Sequence, residues 1–111
     1  MIPYTTPDLT FTVPGDLSSY EVYIDIVQQD SYAVAAAALR LAVDPSDMSV
    51  SGGETTIHVQ PTQAQTGVFH AGTAKVQANW VGSGNTRGAC DVGTLTIGEQ
   101  LRQEVVAYVG T

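Results

Sequence analysis

The chain has 111 residues, 43% of them apolar, with 11 acidic side chains against 4 basic ones and a formal charge of −7. A chain of this length forms one domain, expected over residues 1–111, and buries roughly two-thirds of its unfolded surface, enough for a core without a metal or disulfide staple. The acidic balance argues against recruitment by a phosphate backbone or an anionic membrane, and the single cysteine, Cys90, cannot close an intrachain disulfide.

The opening segment MIPYTTPDLTF has neither a basic n-region nor a continuous apolar h-region, so no secretory signal is expected in it. From there, Leu9, Phe11 and Val13 alternate with polar residues, as do Val22, Ile24 and Ile26. A period of two puts one face of a strand inward and the other outward. The next piece, AVAAAALRLAV up to Val43, has high helix propensity in its alanines. It lacks a capping box, and Leu39, Leu41 and Val43 alternate with Arg40, Ala42 and Asp44, so a strand is expected over 33–43. The run also contains Arg40 and is far shorter than the ~20 residues of a membrane-spanning helix, so no membrane segment is expected. The stretch Asp44–Glu54 reads as the longest irregular loop.

Ile57 and Val59 mark another strand. After it, Pro61 suits the first position of a helical turn, TQAQT supplies the turn and Gly67 can end it, which predicts a one-turn crossover over 61–66. Phe69 then plugs apolar area beneath the turn, Gly72 allows a bend, and Ala74, Val76, Ala78 and Trp80 alternate in the following strand. In GSGNTRG, Gly84 and Asn85 tolerate positive φ and predict a hairpin connection, after which Leu95 and Ile97 resume the alternation. Turn clusters every 8–12 residues or so favour a sandwich or barrel. The expected fold is therefore all-β.

A catalytic acid/base pair needs two carboxylates held together, and the acids of this chain are scattered. Glu21 and Asp25 share the outward side of their strand with Tyr23, which reads as a solvated sheet face. His58 and His70 flank the turn without a third placed ligand, so no zinc site is expected. Cys90 has no recognisable base to generate its thiolate and reads as a small strand residue. DPSDMSVSGGE resembles a calcium loop only in its oxygens, since Ser49 stands where an EF-hand needs glycine and Thr55 where it needs glutamate. GSGNTRG lacks the Walker lysine and the Rossmann spacing. Trp80 and Tyr20 fall in the apolar phase and read as core. No cofactor is expected.

Four phrases taken together resemble a family of small prophage-encoded proteins related to the N-terminal domain of siphophage baseplate upper proteins. They are TTPDLTFTVPGDLSSY, EVYIDIVQQD, HVQPTQAQTGVFHAGTAKVQANW and GTLTIGEQLRQEVV, and they span nearly the whole chain. Thr6, Pro7, Thr10 and Phe11 match the family's opening phrase; Thr62, Gln63 and Thr66 match its turn, followed by Phe69, Gly72, Val76 and Gln77. Pro61 replaces the family's usual leucine, and Ala78–Asn79–Trp80 departs from the apolar and basic residues expected after Gln77. The resemblance implies an immunoglobulin-like antiparallel β-sandwich and a non-catalytic adaptor role in a phage tail tip or baseplate. It also implies manufacture in the bacterial cytoplasm and residence in the virion, with other tail proteins or further copies of the chain as partners. Uncharged polar outward residues, which pair without a large desolvation cost, are the expected partner-facing set: Tyr23, Gln28, Gln77 and Asn79. The alternative is a carbohydrate-binding module using Tyr23 and Tyr32.

Overall fold

A computed structural model describes residues 1–28 and 37–109. It is an antiparallel β-sandwich, immunoglobulin-like in its two layers of three and four strands. The strands are β1 (Leu9–Pro14), β2 (Glu21–Gln28), β3 (Ala37–Ala42), β4 (Met48–Ser51), β5 (Glu54–Val59), β6 (Gly72–Val81) and β7 (Arg87–Ile97). One sheet has the order β1-β5-β4 and the other β3-β2-β6-β7. In a constant-type immunoglobulin domain the second strand belongs to the same sheet as the first; here β2 instead pairs with β3 and β6.

The alternation in the sequence builds the core directly. Val22, Ile24, Ile26, Ala74, Val76 and Ala78 from one sheet meet Val13, Ile57 and Val59 from the other in a single buried cluster. Phe69 and Leu17, from the connections, fill its ends. Burying each large aliphatic side chain contributes roughly 1.5–3 kcal/mol.

The alanine-rich run is a strand from Ala37 to Ala42, in register with β2; positions 33–36 of that expectation, and Tyr32, lie outside the described residues. Asp44–Glu54 is more regular than its composition suggests. A 3-10 turn over Pro45–Asp47 leads into β4, and Gly52 and Gly53, both at positive φ, turn the chain into β5. Two successive residues in the left-handed region are what a two-residue hairpin turn of type I′ requires. Asp44 caps the 3-10 turn, and hydrogen bonds from the backbone and hydroxyl of Ser46 hold its carboxyl below the usual carboxylate range. Its contribution is therefore fully present above the unfolded carboxyl's pKa and is lost as pH falls through the lowered folded-state pKa.

The crossover between β5 and β6 carries a one-turn helix, α1 (Gln63–Thr66). Thr62, not Pro61, starts it: the Thr62 hydroxyl accepts from the Gln65 N–H, and the Gln65 side chain accepts from the Thr62 N–H. Pro61 stands just before this capping box and is fully buried. Thr66 is also buried, and its hydroxyl accepts from the Thr5 N–H at 3.1 Å and donates to the Thr5 carbonyl at 2.7 Å, pinning the N-terminal segment to the turn. Gly67 ends the helix at φ −64, so positive φ is not what it supplies. It supplies space: a Cβ there would lie 2.5 Å from Cε1 of Tyr4. Gly67→Ala is expected to cost about 1–2 kcal/mol in urea unfolding and to become nearly neutral when Tyr4 is also replaced by alanine. Equal costs in both backgrounds would show that the ring is not the obstacle.

β6 and β7 form the longest ladder, joined by a turn in which Gly84 and Asn85 take positive φ, as the sequence predicts. The ladder slips by one residue between Val76 and Gln77, where Val76 faces Gly93 and Gln77 faces Asp91. Val92 is the extra residue. The bulge shifts the inward phase of β7, so that Cys90 and Val92 on one side of it and Leu95 and Ile97 on the other all pack against the core. Trp80 and Tyr20 are half-buried at the core's margin rather than inside it.

Candidate functional site: the outer face of the four-stranded sheet

The outward positions of β3, β2, β6 and β7 are joined by side-chain hydrogen bonds across the whole sheet. Arg40 on β3 donates from Nε to Oδ1 of Asp25 on β2 at 2.7 Å and from Nη2 to Oδ2 at 3.0 Å. Asn79 on β6 donates from Nδ2 to the same Asp25 Oδ2 at 2.7 Å and to Oε1 of Gln77 at 3.1 Å. Gln77 donates to Oδ1 of Asp91 on β7 at 3.1 Å, and Arg87 donates to Oδ1 of Asn79 at 3.3 Å. The Arg40 guanidinium also lies 4.9 Å from the centroid of the Tyr23 ring, within cation–π range.

The network follows from the strand register. Asp25 is directly opposite Arg40 on one side and Gln77 on the other, and Gln77 is opposite Asp91. Side chains directly across a pleated sheet are about 4.5–5.5 Å apart at Cβ, close enough for short polar groups to meet. The bidentate arrangement holds both partners in one geometry, and the Asp25 hydrogen bond is the main reason that the Arg40 pKa is raised above its ordinary value. The face is thereby ordered before anything binds to it.

Three of the four expected partner-facing residues belong to this network. Tyr23 is half-buried and Gln77 exposed. Asn79 points to the same side, but at 6% exposure it is the buried hub of the network rather than a contact residue. Gln28 is a correction: it is 5% exposed and points inward. Its amide donates to the His70 carbonyl at 2.7 Å and accepts from the His70 N–H at 2.8 Å, so it satisfies the backbone of the loop after α1. The signal was in the alternation, since Gln28 continues the inward phase of Val22, Ile24 and Ile26.

The face also concentrates the chain's positive charge. Arg40, Lys75 and Arg87 stand there against Glu21, Asp25 and Asp91, leaving it formally neutral in a chain of charge −7. Sequence reasoning missed Arg40, Arg87 and Asp91 as members, because their meeting depends on strand order. A second exposed feature is the irregular segment after β7, where Leu101, Val105, Val106, Tyr108 and Val109 are all exposed. Gln63 of α1 grips it, donating to the Val106 carbonyl at 2.8 Å and accepting from the Val106 N–H at 2.7 Å.

Elsewhere, His58 is exposed and 3.3 Å from Asp8, and His70 is exposed in its turn. Among the described residues no three His, Cys, Asp or Glu side chains come together as metal ligands, and no helix is long and apolar enough to cross a membrane. No protein-family model matches the chain, and no curated protein matches it.

Proposed function

We propose that the chain is a non-catalytic docking domain of a phage tail tip or baseplate, acting through protein–protein contacts. The observation that carries this reading is the outer face of the four-stranded sheet, a pre-ordered and formally neutral polar surface on an otherwise acidic molecule. Ordered side chains lose little conformational freedom on docking, and a neutral face avoids like-charge repulsion from an acidic neighbour. The exposed apolar side chains after β7, Leu101, Val105, Val106, Tyr108 and Val109, add a contact surface of the kind that marks interaction sites. The tail or baseplate assignment draws on the four phrases that resemble the prophage family.

A carbohydrate-stacking role is less well supported, because Arg40 covers one face of Tyr23. The docking reading predicts that the chain is present at a fixed copy number in purified phage particles from an induced lysogen carrying its gene. Quantitative mass spectrometry across a density gradient checks this. Absence from the particles, or saturable glycan binding by the isolated monomer, overturns it.

A further inference from the structure

We infer that the outer face of the β3-β2-β6-β7 sheet is self-complementary and pairs with the same face of a second copy about a two-fold axis. The inference rests on the docking reading and names the face's partner. Its basis is the row Arg40–Asp25–Gln77–Asp91, which runs straight across the four strands. The row begins with a guanidinium on one edge strand and ends with a carboxylate on the other.

A two-fold axis lying along the strands, between β2 and β6, reverses the order of strands in the facing copy. Arg40 of one copy then stands opposite Asp91 of its mate, and the pair occurs twice. The same operation sets Asp25 opposite Gln77, whose amide is a donor. In the adjoining row it sets Tyr23 opposite Asn79 and Ala42 opposite Ala89, so short side chains oppose one another at the margins. Packed sheets keep their strands within about 30° of each other, so these two central rows stay in register while the corners diverge.

Charge complementarity favours this face. Apart from the six charged residues of the face, the remaining charges are acidic except for Arg102, so basic and acidic side chains balance on this face while the rest of the chain carries the net negative charge. Among the described residues one hydrogen bond reaches the Asp91 carboxylate, from Gln77 to Oδ1, and no such bond reaches Oδ2.

Four strands about 4.8 Å apart and some 25 Å long present a face that buries roughly 1,000 Å² over two copies, at the lower bound of specific interfaces. The pairing is therefore weak and concentration-dependent, and salt reduces it.

The test uses the full chain and two charge variants, Asp91→Lys and Arg40→Glu, followed by sedimentation equilibrium over a concentration series. Circular dichroism and thermal melting of each variant report folding. The wild type is expected to dimerise, and each variant alone to associate about tenfold more weakly or worse, because like charges then face each other twice. Mixing the two variants is expected to restore a heterodimer, since Arg40 again meets Asp91 and the introduced lysine meets the introduced glutamate. A wild type that stays monomeric at all concentrations overturns the inference, as does a dimer indifferent to both variants or a mixture no tighter than its parts. A monomeric chain still present in phage particles sinks this pairing and leaves the docking reading standing; a dimer absent from particles does the reverse.

Discussion

Replacing Gln77 with proline is expected to remove at least about 3 kcal/mol of stability and to lower the urea midpoint sharply. Gln77 sits in the middle of β6, which is paired on both sides, with Asp25 of β2 and Asp91 of β7 as its neighbours. Proline takes away a ladder N–H and cannot follow the φ of an extended central strand. The carbonyl left without a donor costs about 1–3 kcal/mol, and the ring's clash with the adjoining strand adds to it. Native domains commonly hold only about 5–15 kcal/mol in all, so the loss is a substantial part of the whole. Gln77→Thr keeps the N–H and suits a strand, and it is expected to change stability by less than about 1 kcal/mol. Urea titration followed by the fluorescence of Trp80 separates the two. A proline variant with the wild-type midpoint would mean that β6 is not paired through Gln77.

Gln28→Leu is expected to cost about 2 kcal/mol net. The leucine fits an inward position, and burying it returns about 1.5–3 kcal/mol. Against that, the His70 N–H and carbonyl both lose their partner in a partly buried site, at about 1–3 kcal/mol each. Gln28→Glu discriminates further, because an ionised carboxylate can accept from the His70 N–H but cannot donate to its carbonyl. At 5% exposure the introduced carboxyl has its pKa raised by burial, so the neutral, donating form is favoured in the fold. A raised folded-state pKa gives a contribution that is present at low pH and lost as pH rises. The glutamate variant is therefore expected to gain stability relative to the wild type as pH falls from 7 towards 5. Equal pH profiles for the two proteins would place the side chain in solvent, as an outward Gln28 requires.

The physical reasons for these two effects also mark what could and could not be read from the chain. Strands β1, β2, β5 and β6 were legible because a half-buried strand writes its burial into every second residue, as in Val22, Ile24 and Ile26. The same rule, carried one step further, places Gln28 inside, where polarity alone suggests the opposite. The helical turn was legible from its proline and glycine, but its cap was not assigned to Thr62, whose partner Gln65 lies three residues on. β4 was hidden in a loop-like composition, since Met48–Ser51 is short and exposes three of its four residues. In β7 only Leu95 and Ile97 stood out as alternating, because the bulge at Val92 breaks the period.

By itself, then, the sequence determined the all-β class, the inward face of most strands, the turn after Val59 and the hairpin at Gly84 and Asn85. These depend on neighbours within a few residues, through side-chain alternation and backbone φ. Only the tertiary structure decided that β2 lies between β3 and β6, and with it the meeting of Arg40, Asp25, Asn79, Gln77 and Asp91 on one face. That outcome depends on pairing between distant segments, with Asp25 and Asn79 54 residues apart, and no local pattern encodes which strands become neighbours.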